Sequence, residues 1–111
     1  MNTAPETRVP EIQDSDFEAL LNSNTLVLVD FMVSWCGPCR KVGRFMEKLA
    51  ETFEGEITIV KIDTEKNREI PQQFEVSRLP EVLLFKNGEL VERILGAKPQ
   101  STFAEAVTKH L

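Results

Sequence analysis

The sequence predicts an α/β domain in which a mixed sheet of about five strands is flanked by four helices. Three observations carry that expectation. Leu26 to Phe31 is apolar at every position except Asp30. A continuous run of strand formers, unlike an alternating one, belongs to a strand covered on both faces of a parallel or mixed sheet. From Pro38 onward, Val42, Phe45, Met46, Leu49, Ala50 and Phe53 recur at helical spacing, which is the stripe of a helix packed on one side. Near the C-terminus, Asn87-Gly88 separates two strand-like runs, Val82 to Phe85 and Leu90 to Leu95, and that dipeptide is the strongest short hairpin signal.

The remaining elements follow in order. Met1 to Arg8 reads as a flexible N-terminal segment and residues 9–111 as one domain. Val9 to Ile12 reads as a short strand. Asp14 or Ser15 caps a helix running to about Leu21, with Phe17, Leu20 and Leu21 turned inward. The central strand comes next, then a turn over Ser34 to Gly37, and then the long helix. Its other face carries Arg40, Lys41, Arg44, Glu47, Lys48 and Glu51, the pattern of a solvated surface. Gly55 fits its C-terminal stop. Ile57 to Ile62 is a second strand, parallel to the first through a right-handed crossover. Asn67 is placed to cap a short helix ending near Phe74. In the last strand Glu92 and Arg93 interrupt the apolar residues, which marks an edge. Ser101 or Thr102 caps the final helix, Thr102 and Glu105 fit a capping box, and Phe103, Ala106, Val107 and Leu111 are its inward residues.

Composition narrows the function. A chain of 111 residues with 41% hydrophobic residues suits one self-sufficient domain, a monomer by default. Thirteen basic against eighteen acidic residues give a net charge of −5, which argues against non-specific nucleic-acid binding. No stretch approaches the roughly 20 apolar residues of a membrane span. Residues 1–8 lack the apolar run of a signal peptide. A cytoplasmic setting is expected, in which a dithiol stays mostly reduced.

The chain has two cysteines, Cys36 and Cys39, in one C-x-x-C. Pro38 suits the first turn of a helix, where its missing N–H costs nothing. Cys36 therefore falls at the helix N-terminus, beyond the carboxyl end of the central strand, where sites gather in open α/β sheets. Unpaired N–H groups and the positive end of the helix dipole favour a thiolate, the reactive form of cysteine. Cys39 lies three residues further, within reach of Cys36. A purely structural disulfide would close too short a ring to restrict the unfolded chain much. A zinc site needs about four ligands, and besides carboxylates only His110 remains. Two ordinary buried cysteines are the third bland reading. Thiol redox chemistry outweighs all three in this strand–turn–helix setting.

Trp35-Cys36-Gly37-Pro38-Cys39 resembles the active-site motif of the thioredoxin family. The likeness runs from about Val9 to the C-terminus and takes in Asp30, Lys61, Leu79-Pro80, Phe85-Lys86-Asn87-Gly88-Glu89 and Gly96. The resemblance implies the thioredoxin fold and a thiol-disulfide oxidoreductase that reduces protein disulfides through Cys36 as nucleophile and Cys39 as resolving thiol. It implies that Asp30 accepts the proton of the inner thiol through water, with Lys61 supporting it. It places a cis proline at Pro80, facing the cysteines, and a flat docking surface of Trp35, Gly37, Pro38, Leu79, Pro80, Gly96 and Ala97. No bound cofactor is implied. The resemblance also implies that electrons come from NADPH through a separate thioredoxin reductase, and the Gly-Pro spacer resembles that of the reducing members.

Three positions depart from the family pattern. Met32 stands where an aromatic is usual, Arg44 where a helix-kinking proline is usual, and Glu81 where a small hydroxyl residue follows the proline. A carboxylate near Cys36 would disfavour its thiolate, so Glu81 is expected to raise the Cys36 pKa or to narrow partner choice, and Met32 to modulate as well. Two other readings use the same surface: a reductase dedicated to one partner, and a binding subunit in which redox is a side activity.

Overall fold

The structure, a computed structural model, describes residues 8–111. Of the segment Met1 to Arg8, all but Arg8 lies outside the described residues. Strand β1 (Leu26–Met32) is the centre of the sheet, and its residues are buried as far as Phe31. It pairs in parallel with β2 (Thr58–Asp63) and antiparallel with β3 (Glu81–Lys86), and β3 pairs antiparallel with β4 (Glu89–Leu95). The order is β2-β1-β3-β4, with β4 at one edge. Four helices complete the fold: α1 (Phe17–Ser23), entered through a single 3₁₀ turn at Asp14–Asp16, α2 (Gly37–Thr52), α3 (Glu69–Gln73) and α4 (Gln100–His110).

Alternation along the strands divides the core in two. Leu26, Leu28, Ile59, Val82 and Leu84 meet Val42, Met46 and Leu49 of α2 and Phe103 and Val107 of α4. Val27, Val29, Phe31, Val60, Ile62, Leu83 and Phe85 meet Phe17 of α1 and Ile70 of α3, with Phe74 and Leu79 packed alongside. Phe17, Phe74 and Phe85 form an aromatic triangle with ring centroids 5.2 to 5.6 Å apart, close to the edge-to-face spacing such rings favour.

The α/β class and the mixed sheet are as expected, but the sheet has four strands rather than about five. The segment expected as a strand from Val9 to Ile12 makes a single parallel bridge, Glu11 to Lys61. Ile12 N–H donates to the Lys61 carbonyl and Lys61 N–H to the Pro10 carbonyl, both at 2.9 Å. Pro10 has no N–H to return, so the ladder stops there.

Three helix caps also differ from expectation. Helix α1 follows the 3₁₀ turn with no side-chain cap from Asp14 or Ser15. Asn67 does not cap α3; it is buried and donates to the Asp63 carbonyl. The cap comes from the far end of the sequence. The Asp14 carboxylate accepts from Glu69 N–H at 2.9 Å and Ile70 N–H at 3.0 Å, while Asp14 N–H donates to Asn67 Oδ1 at 2.7 Å. Helix α4 starts at Gln100 behind Pro99, without a side-chain cap from Ser101 or Thr102. Leu111, expected inward, is 54% exposed just past the end of α4. His110 instead turns back to bond Glu92 at 2.8 Å.

Candidate active site

The carboxyl end of β1 runs into a short turn that delivers Cys36 as the N-cap of α2. Gly37 and Pro38 make the first turn, and Arg40 N–H reaches the Cys36 carbonyl at 3.1 Å. The Cys36 sulfur fills the role of a capping oxygen: Cys39 N–H points at Cys36 Sγ at 3.2 Å. Both cysteines are free thiols. Cys36 is half-buried, whereas Cys39 is only 3% exposed. One sulfur is open to a partner and the other is almost wholly covered.

Beneath Cys39 lies Asp30. Its position on β1 puts it on the α2 face of the sheet, opposite Val82 on β3 and in register with Lys61 on β2. It is 1% exposed, and its Oδ1 finds no hydrogen-bond partner. Burial pushes the Asp30 carboxyl from its ordinary 3.8 up to about 7, against the downward pull of the Lys61 ammonium. Burial also pushes the Cys39 thiol up to about 12, reinforced by its hydrogen bond to Cys36 and by the charges of Cys36 and Asp30, while a backbone bond with Val33 acts the other way. Asp30 and Cys39 line a cavity of about 340 Å³ together with Met32, Val33, Gly43, Arg44 and Lys61.

The geometry thus supplies an accessible thiol, a buried thiol within one helical turn, and a carboxyl group that titrates near neutrality behind the second. That constellation defines a centre for dithiol–disulfide exchange.

The other expected site residues divide into groups. Trp35 stands 68% exposed beside Cys36, and its Nε1–H donates to Glu65 Oε2 at 2.9 Å. Gly37, Pro38 and Ala97 are exposed, Leu79 and Gly96 are half-buried, and Pro80 is buried. The Leu79-Pro80 peptide is cis, and Gly96 N–H holds the Pro80 carbonyl at 2.9 Å. Met32 borders the cavity next to Cys39. Helix α2 runs unbroken from Gly37 to Thr52 past Arg44, since Arg44 keeps the N–H that proline would lack. Glu81 does not face Asp30. Its neighbour Val82 takes the α2 side, so Glu81 takes the opposite side of β3, where its carboxylate is ion-paired with Arg93.

Two partners were invisible in the sequence reading. Glu65 reaches Trp35 across 30 positions, and Arg93 reaches Glu81 across 12. The first leaves no periodic trace. The second had a faint signal, a long cation breaking the apolar pattern of an edge strand one register step from an acid.

Comparison with known proteins agrees with this geometry. The family model "Thioredoxin" matches residues 8–109. Thioredoxin 1 of Nostoc sp. is 37% identical over 102 residues, covering 91% of this chain and 95% of its own. Thioredoxin of Haemophilus influenzae is 38% identical over 106 residues, covering 95% and 99%. Among solved structures, reduced Schistosoma mansoni thioredoxin pre-protein superposes with a TM-score of 0.85 at 31% identity, covering 95% of this chain and all of that one. The chain belongs to the thioredoxin family. It is a thiol-disulfide oxidoreductase, and its redox-active group is the Cys36–Cys39 pair. Among the described residues no helix is long and apolar enough to cross a membrane.

Proposed function

We propose that the chain works in the reducing direction on disulfides of other proteins, with Cys36 attacking and Cys39 resolving. The observation that carries this is the asymmetry of the pair: Cys36 is open at a helix N-terminus while Cys39 is buried with its N–H on the Cys36 sulfur. The Cys36 thiolate attacks one sulfur of the substrate disulfide. A mixed disulfide forms and the first substrate sulfur leaves as a thiolate. Cys39 then gives its proton to ionised Asp30 through water and attacks Cys36 Sγ. The second substrate sulfur leaves, and two electrons have passed from the dithiol to the substrate. Proton transfer becomes easier at this stage. Once Cys36 is bonded to substrate it carries no negative charge, so two of the influences that raise Cys39 fall away. Lys61 supports the step by favouring the ionised form of Asp30.

Docking is assigned to the exposed Trp35, Gly37 and Pro38 on one side of Cys36 and to Leu79, Pro80, Gly96 and Ala97 on the other. The backbone of Leu79 is free to pair with an extended substrate segment, as in other strand-addition complexes. A redox pair without a second electron source must be recharged, and the donor proposed is NADPH through a separate thioredoxin reductase. A reducing compartment such as the cytoplasm suits that cycle, and the chain is taken to act as a monomer.

Insulin-disulfide reduction tests the reading, first with dithiothreitol and then with NADPH and a generic thioredoxin reductase. Turnover in both is expected. Turnover with dithiothreitol alone would indicate a dedicated reductase partner. Absence of turnover in either would favour the binding-subunit reading. Cys39→Ser should accumulate a mixed disulfide through Cys36, and Cys36→Ser should form none.

A further inference from the structure

The loop that presents Leu79 and Pro80 has little hydrogen bonding of its own. It spans residues 75–80, between the end of α3 and the start of β3. At its near end Glu75 N–H reaches the Gln72 carbonyl at 3.1 Å and Val76 N–H the Pro71 carbonyl at 2.8 Å; at its far end Gly96 N–H holds the Pro80 carbonyl at 2.9 Å. Among the described residues, Ser77, Arg78 and Leu79 make no backbone-to-backbone bond. Glu75 leaves the helix at φ +57°, a left-handed turn taken without glycine. Such a segment holds one position only if its ends are held.

One side chain reaches both ends. Arg93 on β4 pairs through one guanidinium nitrogen with Glu81 Oε2, the first residue after the loop. Through its other nitrogen it donates at 2.8 Å to the carbonyl of Phe74, the last residue before the loop. Glu81 is 1% exposed, so its carboxylate needs a partner to be tolerated. The planar fork of arginine can serve two acceptors in fixed directions, which a lysine ammonium cannot reproduce. In the strand register Arg93 lies opposite Leu83, so Glu81 is its diagonal neighbour. Together with Glu75, Ser77, Arg78 and Leu95 the pair lines a groove of about 290 Å³ along the loop.

We infer that Arg93 is a positioning residue for substrate docking: from the edge strand it ties the two ends of the 75–80 loop together and so fixes Leu79 and Pro80 against Cys36. The inference rests on the docking surface proposed above. It assigns Glu81 a role unlike the one its sequence position suggested, that of an anchor for the loop rather than a charge acting on the thiol.

The test compares the wild type with Arg93→Met, Arg93→Lys and the double variant Glu81→Met/Arg93→Met. Each is assayed for reduction of a protein disulfide (insulin) and of the small aromatic disulfide DTNB, and each is melted thermally. Arg93→Met leaves a buried carboxylate unpaired, so its melting temperature should fall. The double variant removes that charge and should recover most of the loss. Docking should behave differently. KM for insulin should rise roughly three- to tenfold in both variants, less than the roughly hundredfold that a full ångström of misplacement can cost. The DTNB rate should stay within about twofold of wild type. Arg93→Lys should fall between.

Recovery of both melting temperature and KM in the double variant would overturn the inference, because the pair would then be only structural. So would a wild-type KM in every variant, or a DTNB rate that falls in step with insulin, which would place the damage at the cysteines. A wild type that reduces DTNB but no protein disulfide would overturn the docking reading and this inference together. If Arg93→Met alone fails to fold, the double variant carries the comparison.

Discussion

Asp30→Asn should make the folded chain more stable, and by an amount that depends on pH. Burial holds the Asp30 carboxyl near pKa 7 in the folded state against an ordinary value of 3.8. Between those limits the folded chain keeps a proton that the unfolded chain has released, so stability falls as pH rises. The loss begins near pH 4, is complete just above pH 7 and spans about three pH units. At about 1.4 kcal/mol per unit it amounts to about 4 kcal/mol. This is a substantial share of the roughly 5–15 kcal/mol that holds a domain of this kind together. Asparagine has nearly the same shape and no charge to desolvate. The variant should therefore match the reduced wild type to within about 1 kcal/mol at pH 4 and exceed it by about 3–4 kcal/mol at pH 8. Urea unfolding of both proteins in excess reductant, at half-unit steps from pH 4 to pH 8, measures the difference. The gap in midpoint should widen to roughly 2 M urea at the upper end. A gap that stays constant with pH would refute the reasoning, since it would mean that the carboxyl titrates alike in both states.

Three further outcomes are expected. In stopped-flow measurements Asp30→Asn should slow resolution by Cys39 by roughly tenfold to a hundredfold while leaving the first attack by Cys36 nearly unchanged, and the wild-type resolution rate should climb as pH passes about 7; equal slowing of both steps would count against the proton-acceptor role. Asp14→Ala removes the carboxylate that caps α3 through Glu69 and Ile70 and should cost about 1–2 kcal/mol in a denaturant melt. Gly43→Ala should stabilise the chain by up to about 1 kcal/mol, because a Cβ there meets nothing within 4 Å and alanine is the better helix former; a fall in melting temperature would show that the glycine is needed where it lines the cavity beside Cys39.

What the sequence disclosed depended on how local the cause was. The central strand, the helix stripe and the hairpin announced themselves because their signals lie within a few residues: unbroken strand formers, a 3.6-residue period, Asn-Gly at a turn. The cysteine pair was legible for the same reason, its spacing and its helix N-terminus both being short-range. The cap of α3 was misplaced because its capping group comes from elsewhere. Asn67 looked like the cap of α3, yet Asp14 supplies it from 55 positions away because the chain has brought the 3₁₀ turn against that helix. The missing fifth strand traces to Pro10, whose effect on the ladder depends on which side of the segment meets β2. Glu81 could be recognised as unusual but not understood, because its meaning is set by Arg93 across a hairpin.

The two faces of the sheet divide the chemistry between them. Asp30 faces α2, where burial drives its carboxyl toward neutrality and nothing bonds its Oδ1. Glu81 lies on the neighbouring strand, directly opposite Phe31 in register, but on the other face, and there a guanidinium compensates it. Both acids are about equally buried, at 1% exposure. One is left without a full partner and stays titratable beside a thiol. The other is ion-paired and stays fixed beside a loop. Burial alone therefore does not set the role of an acid in this fold; the cation within reach does. Lys61 lowers Asp30 only part of the way, which is the condition a proton acceptor near neutrality requires, whereas a guanidinium in the place of Lys61 would hold the carboxylate ionised and remove it from proton exchange.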